Sequence, residues 1–122
     1  MPRSRKKKGP AAEKDRSYIE DIFDSAAHIE RYVHGVTFDA FSANEILQDA
    51  ILRRLTIIGE AAACVSADFR AANPKIDWKN IIAFRHLVVH RYWSVDRNIV
   101  WQIALDDVPQ LLEALRGMNA VG

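Results

Sequence analysis

The sequence lacks the features that stabilise small secreted or metal-binding proteins. Cys64 is the only cysteine, so no internal disulfide can form, and no Cys or His cluster has the spacing of a zinc site. No apolar run approaches the roughly 18 to 20 residues that cross a bilayer. The charged N-terminus is not followed by a hydrophobic segment, as it would be in a signal peptide. We therefore expect a cytoplasmic protein without a membrane span.

Glycine and proline are scarce, with five and four residues among 122. A chain of this length is expected to form one domain. It can bury roughly two-thirds of the surface that its unfolded form exposes, which is enough for a core without a disulfide or a metal.

The net charge of +1 conceals an uneven distribution of charge. Residues 1–16 hold seven basic groups against Glu13 and Asp15, whereas the remaining 106 residues have a net negative charge. Clustered basic residues beside proline and glycine cannot bury apolar surface, so we expect residues 1–14 to form a disordered basic tail. Such a tail either binds phosphates without reading sequence or only increases solubility.

Apolar residues in the rest of the chain recur at steps of three and four, as in amphipathic helices. The pattern predicts a first helix over residues 16–34 and a long second helix from Leu47 to Phe69. Residues 42–45 have the spacing of a capping box at the start of the second helix. Gly59 lies within that helix, where it costs about 1 kcal/mol relative to alanine but permits close approach of another helix.

Two aspartates mark the starts of later helices. Asp77 is predicted to cap a helix from Trp78 through Val88, and Asp96 to cap a helix that reaches Leu115. Pro109 is expected to break or kink this last helix, because proline lacks the backbone N–H and its ring clashes with the preceding turn.

No stretch shows sustained period-two alternation, and no Asn-Gly or Asp-Gly hairpin signal is present. We therefore predict an all-α fold, an up-and-down bundle of four to five helices. The helical domain is expected over residues 15–118, between the tail and a flexible C-terminus at 119–122.

The residues best suited to chemistry lie within ten positions, at Arg85, His86, His90, Arg91 and Tyr92. Elsewhere there is no Gly-rich phosphate loop, no His-Glu-x-x-His and no Gly-x-Ser-x-Gly. Histidine can take a proton and return it, arginine matches phosphate oxygens, and tyrosine can stack on a base. This set suits metal-free RNA cleavage, in which the ribose 2′-hydroxyl attacks its own phosphate.

Helical geometry constrains that interpretation. On an unbroken helix Arg85 and His90 would lie about 140° apart, so they would not share a face. Either the helix ends near His90 or a symmetric dimer completes the site. His86 and His90 have the spacing of a helical metal pair, but no third ligand follows at a recognisable interval, so we expect no metal. The alternative for each side chain is a solvated or core residue without a chemical role.

The segment from Arg85 to Tyr92 reads R-x4-H-x-Y and resembles the motif of the HepT family, the HEPN ribonuclease toxins of bacterial and archaeal toxin–antitoxin modules. The likeness extends over about residues 15–116. Segments similar to those of the family occur in the usual order at residues 15–22, 48–61, 78–82 and 95–101.

The resemblance implies an all-helical HEPN fold, a homodimer with both motifs near its twofold axis, and RNA cleavage without metal or cofactor. Arg85 and His90 match the catalytic pair of the family. Tyr92 matches the tyrosine that the cognate antitoxin MntA, a minimal nucleotidyltransferase, modifies with AMP. A nucleotide beside Arg85 would occupy the pocket of the substrate phosphate. His86 and Arg91 depart from the residues usual in the family and are candidates for auxiliary roles.

Three functions are consistent with this sequence. The first is a toxin ribonuclease that AMPylation silences. The second is a catalytically inactive HEPN scaffold that binds a nucleotidyltransferase and serves as its modification acceptor. The third is a nucleic-acid adaptor that acts through the basic tail. The helical pattern does not distinguish transfer RNA from messenger RNA as the target.

Overall fold

The computed structural model describes residues 10–87 and 96–121, with side chains over 12–87 and 96–118. Within these residues the chain is helical and contains no strand, which confirms the predicted all-α class. The helices are α1 (Pro10–Val33), α2 (Phe38–Ser42), α3 (Glu45–Cys64), α4 (Ala67–Ala72), α5 (Trp78–Ala83), α6 (Arg97–Gln102) and α7 (Val108–Val121), with a π-helical turn at Ile103–Asp107 between the last two.

Helices α1 and α3 form the central antiparallel pair. Asp15 near the start of α1 contacts Ser66 just beyond α3, and Ser25 further along α1 contacts Arg54 within α3. Helix α7 packs on α1, and α5 packs on α3. The core between these helices consists of fully buried apolar side chains, among them Ile22, Ala26, Ile29, Ile51, Leu55, Ile58, Val108 and Leu112.

Aromatic residues close both ends of this core. The Trp101 ring on α6 lies 4.8 Å from the ring of Phe41, measured between centroids. Trp78 on α5 packs edge-to-face against Phe69, and its indole Nε1 donates a hydrogen bond to the backbone oxygen of Asn73 at 3.0 Å. Both tryptophans are buried; Trp93 lies outside the described residues.

Short polar side chains define where the helices begin. The helices capped by Asp77 and Asp96 start as predicted. The predicted capping box at residues 42–45 is wrong: Ser42 is the last residue of α2, and Asn44 caps α3 by accepting from the Leu47 N–H at 3.0 Å. Only Ala43 and Asn44 separate α2 from α3, so the residue that caps α3 lies two positions later than predicted.

The predicted helix from Leu47 to Phe69 is two helices in the structure. Helix α3 ends at Cys64, Val65 is extended, and Ser66 caps α4. The buried Asp15 carboxylate accepts hydrogen bonds from the Ser66 N–H at 2.9 Å and from its hydroxyl at 2.7 Å. These two hydrogen bonds replace helical hydrogen bonds that are lost at the break. The apolar side chains before and after the break still face the core.

The last helix is not broken at Pro109. The backbone stays helical from Arg97 to Val121 and widens into a π-helical turn at Ile103–Asp107, which ends two residues before the proline. A wider turn is a common way for a helix to absorb a local disruption of its hydrogen bonds. Asp107, at the end of this turn, accepts a hydrogen bond from the Asn80 amide at 2.7 Å and so links the turn to α5.

Helical structure extends beyond residues 15–118 at both ends, while the domain boundaries themselves stay a prediction. Helix α1 begins at Pro10, so residues 10–14 of the expected tail are helical, and α7 continues to Val121 through most of the expected flexible end at 119–122. Residues 1–9 lie outside the described part. Over residues 10–87 and 96–121, no helix combines the length and apolar content that a bilayer crossing requires.

The Asp15 contact yields a stability prediction. Replacing Asp15 with alanine leaves the part-buried N–H and hydroxyl of Ser66 without their acceptor, so we expect the free energy of unfolding to fall by roughly 1.5–3 kcal/mol. Urea denaturation measures the change. Asp21→Ala is the control, because Asp21 lies exposed on the same helix; its effect should stay within about 0.5 kcal/mol. Equal effects of the two substitutions would contradict the assigned role of Asp15.

Candidate active site

Arg85 lies in the turn that follows α5. The helix begins at the Asp77 cap and ends at Ala83, and the next residue, Phe84, is only 3% exposed. The Arg85 N–H donates to the Ile82 backbone oxygen at 3.3 Å. The cap, the buried phenyl ring and this hydrogen bond together fix the backbone from which the Arg85 side chain projects.

The turn that carries Arg85 packs directly against Gly59 on α3. A Cβ atom placed on Gly59 would lie 2.5 Å from the Arg85 backbone nitrogen, 3.0 Å from the Arg85 Cβ and 3.0 Å from the Ile82 oxygen. No side chain fits in that space. The predicted close approach at Gly59 is therefore confirmed, and its partner is the turn that carries the first motif residue.

The Arg85 guanidinium is half-buried and retains hydrogen-bonding capacity. Its Nε is buried and has no hydrogen-bond partner among the described residues. Within the same residues, the ion pairs join other groups: Asp24 with His28 and Arg54, and Glu30 with Arg116. A guanidinium that has no carboxylate partner in the described part of the chain favours an anionic ligand.

The other predicted site residues are distributed between described and undescribed positions. His86 follows Arg85 and is exposed. His90, Arg91 and Tyr92 lie outside the described residues, so their proximity to Arg85 stays a prediction. The predicted helix from Trp78 through Val88 is interrupted: α5 ends at Ala83, residues 84 and 85 form a turn, and the chain is helical again at residues 86 and 87. The predicted helix end near His90 lies outside the described residues.

A groove between α4 and α5 was not anticipated from the sequence. Its lining consists of Ala67, Arg70, Ala71, Trp78, Lys79 and Ile82. Ile82 also belongs to the turn that packs on Gly59, so the groove adjoins the Arg85 backbone. In the sequence Arg70 and Lys79 have the appearance of solvated helix cations, and only the contact between Phe69 and Trp78 brings their helices to one groove.

Metal-ligating side chains are dispersed in the described part of the chain. No three His, Cys, Asp or Glu side chains there are grouped closely enough to hold an ion. Asp107, one of two adjacent aspartates in the π-helical turn, accepts from Asn80 and so has a structural contact. The charged groups of interest in this part of the chain are cations: Arg70 and Lys79 line one groove, and Arg85 follows α5.

Comparison with known proteins gives a consistent family assignment. A family model described as "Ribonuclease HepT-like" matches residues 22–118. A protein of Methanocaldococcus jannaschii named "Putative RNase MJ1380" is 30% identical over 96 residues, which are 79% of this chain and 88% of that protein. "Probable ribonuclease HepT" of Thermococcus cleftensis is 32% identical over 96 residues, covering 79% and 87% of the two chains.

A third relative, "Putative RNase TTE0752" of Caldanaerobacter subterraneus subsp. tengcongensis, is 33% identical over 96 residues, covering 79% of this chain and 86% of that protein. No solved structure matches the chain.

The Gly59 contact yields a second prediction. Gly59→Ala forces the Ile82–Arg85 turn away from α3, and the overpacking cost of about 1–3 kcal/mol should exceed the gain in helix propensity of about 1 kcal/mol. We expect a lower free energy of unfolding in urea and a displaced NMR signal of the Arg85 amide.

Gly117→Ala is the matched control. Gly117 lies in α7 with open space around the position of a Cβ, so this change should stabilise the protein by up to about 1 kcal/mol. Stabilisation by both substitutions, with the Arg85 amide signal unchanged, would show that the Gly59 contact does not position Arg85.

Proposed function

The chain belongs to the HepT-like ribonuclease family, and we propose that it is the toxin of a toxin–antitoxin module, an endoribonuclease that cleaves RNA without a metal ion. The observation that carries the proposal is the position of Arg85. Its backbone is held against Gly59, and its Nε has no hydrogen-bond partner among the described residues. A phosphate oxygen is the acceptor that fits such a donor.

In the proposed reaction the ribose 2′-oxygen bonds to the adjacent phosphorus, and the bond from that phosphorus to the 5′-oxygen of the next nucleotide breaks. His90 takes the proton of the 2′-hydroxyl and returns a proton to the departing 5′-oxygen, so protons balance over the reaction. The product is a 2′,3′-cyclic phosphate, which water opens to a 3′-phosphate. DNA lacks the attacking hydroxyl and is not a substrate.

Arg85 acts on the phosphate in this scheme. Its guanidinium binds the non-bridging oxygens and stabilises the negative charge that builds up while five oxygens surround the phosphorus. A fixed backbone matters here, because a donor that is already in place needs no reorganisation during the reaction. His86 and Arg91 serve as auxiliary groups near the same phosphate.

We further propose that two copies form a homodimer with one motif from each copy near the twofold axis. Large apolar side chains exposed in the described part support association: Ile46 is 82% exposed, Ile99 is 45% and Leu105 is 41%. A hydrogen bond from Arg97 to Gln48 joins the start of α6 to the start of α3, so Ile46 and Ile99 lie on neighbouring elements. Burying these side chains would lower the free energy of the pair.

Regulation in this proposal acts on Tyr92. A partner antitoxin, an MntA-like nucleotidyltransferase, transfers AMP to the tyrosine hydroxyl. The added phosphate and nucleotide then compete with RNA for the Arg85 guanidinium. The modification blocks the site and leaves the helical fold intact.

The catalytic assignment predicts that Arg85→Ala and His90→Ala each lower the rate of RNA cleavage by about 100-fold or more. Circular dichroism and molecular mass in solution should match the unsubstituted protein. Arg31→Ala is the control, because Arg31 is an exposed cation at the far end of α1, and it should retain full activity. Substrates with a 2′-deoxyribose at the cut should resist cleavage.

Cleavage that survives both substitutions would refute the roles of Arg85 and His90. Products with 3′-hydroxyl ends, or a requirement for magnesium, would refute 2′-hydroxyl attack as the mechanism.

The regulatory assignment predicts the behaviour of Tyr92→Phe in cells. Expression of either the unsubstituted or the Tyr92→Phe protein should arrest growth. Co-expression of the nucleotidyltransferase should relieve the arrest only where the tyrosine hydroxyl is present, and mass spectrometry should then detect one added AMP. Growth without arrest, together with AMP on Tyr92, would identify the chain as an inactive modification acceptor instead.

A further inference from the structure

The α4–α5 groove combines an apolar floor with two cations. The apolar part of the lining consists of Ala67, Ala71, Trp78 and Ile82. The two cations are Arg70 on α4 and Lys79 on α5. The Trp78 ring is held in place by its hydrogen bond to Asn73 and its contact with Phe69. The groove therefore offers a fixed apolar surface beside positive charge.

Arg70 resembles Arg85 in its hydrogen bonding. It is half-buried, and its Nε is buried with no hydrogen-bond partner among the described residues. In the same part of the chain, no carboxylate lies within 4.0 Å of Arg70 or Lys79, whereas Arg54 and Arg116 each have such a partner. Two cations that face an open groove without a neighbouring carboxylate favour an anionic ligand.

The groove adjoins the turn that carries Arg85. Ile82 lines the groove, and its backbone oxygen accepts the Arg85 N–H at 3.3 Å. Lys79 precedes Arg85 by six residues, about 9 Å at the rise of an α-helix and somewhat more through the turn after Ala83. A strand of RNA whose phosphate is bound at Arg85 is thus close enough to enter the groove.

We propose that the α4–α5 groove binds the single-stranded RNA next to the cut, with a base or ribose on the apolar floor and the neighbouring phosphate between Arg70 and Lys79. This inference rests on the proposed ribonuclease function. The groove binds by charge and by apolar contact, so it selects single-stranded RNA over duplex without selecting a particular base. It contributes to binding of the substrate and takes no part in the chemistry.

The first test replaces both cations. Arg70→Gln combined with Lys79→Gln should weaken binding of a labelled single-stranded RNA of about 12 nucleotides by about tenfold, measured by fluorescence anisotropy in the His90→Ala background. The slope of log affinity against log salt should fall in magnitude by about 0.7 to 1.4. In the cleaving protein the same pair should raise KM and leave kcat within about twofold.

The control for charge is Arg31→Gln combined with Arg116→Gln, which removes the same number of positive charges at exposed positions. Arg31 lies 16 residues beyond Asp15 on α1, about 24 Å along the helix, and Asp15 is bonded to the cap of α4. RNA affinity should change by less than about twofold in this control.

A second test places a negative charge in the groove without altering the core. Ala71 and Ala72 are adjacent exposed residues of α4, but only Ala71 lines the groove. Ala71→Glu should weaken RNA binding by about fivefold through repulsion of the phosphate, and Ala72→Glu should have little effect. Since both positions are exposed, neither change should alter the urea denaturation midpoint.

The outcomes separate this inference from the proposed function. If the groove variants cleave RNA with unchanged affinity and KM, the proposed RNA-binding role of the groove is wrong and the ribonuclease assignment stands. Absence of cleavage in the unsubstituted protein, with RNA binding still weakened by the groove variants but not by the controls, would support RNA binding in the groove but overturn the nuclease and the position of the groove next to a cut. Unchanged RNA binding with weakened binding of the nucleotidyltransferase would identify the occupant as a protein and overturn the inference.

Discussion

The direct contact between Gly59 and the Ile82–Arg85 turn is the constraint on which the candidate site depends. Helix α5 has only six residues, far fewer than an isolated helix needs to be stable in water. It is held by its aspartate cap, by the burial of Phe84 and by this contact with α3. The Arg85 backbone is therefore positioned by tertiary packing rather than by local helix propensity, and a hydrogen atom in place of a side chain at residue 59 makes that packing possible.

Local sequence signals predicted much of the fold, because caps and apolar spacing depend on neighbouring residues. The all-α class and the helix starts after Asp77 and Asp96 are examples. The break before Ser66 was missed because it depends on a carboxylate 51 residues away in the chain. The start of α1 at Pro10 differs from the prediction for another reason: proline favours the first turn of a helix even where basic residues precede it.

The candidate site was predictable in part. Its first residue, Arg85, was identified from the motif, and Gly59 was recognised as a point of close approach, although periodicity could not reveal which segment approaches it. Arg70 and Lys79 had no sequence signal, since most helix cations are solvated and the two line a common groove only because the contact between Phe69 and Trp78 brings α4 near α5. The roles of His90 and Tyr92 rest on the motif and stay predictions.

The bond between Asp15 and Ser66 has a further consequence for the basic residues at the start of the chain. It fixes the beginning of α1 at the break between α3 and α4, which is the end of the molecule that carries Arg70. Five cations precede Pro10 in the sequence: Arg3, Arg5, Lys6, Lys7 and Lys8. At roughly 3.5 Å per residue the chain cannot carry them more than about 25 Å from Pro10, so the sequence keeps this positive charge near the anchored start of α1 whatever path residues 1–9 take.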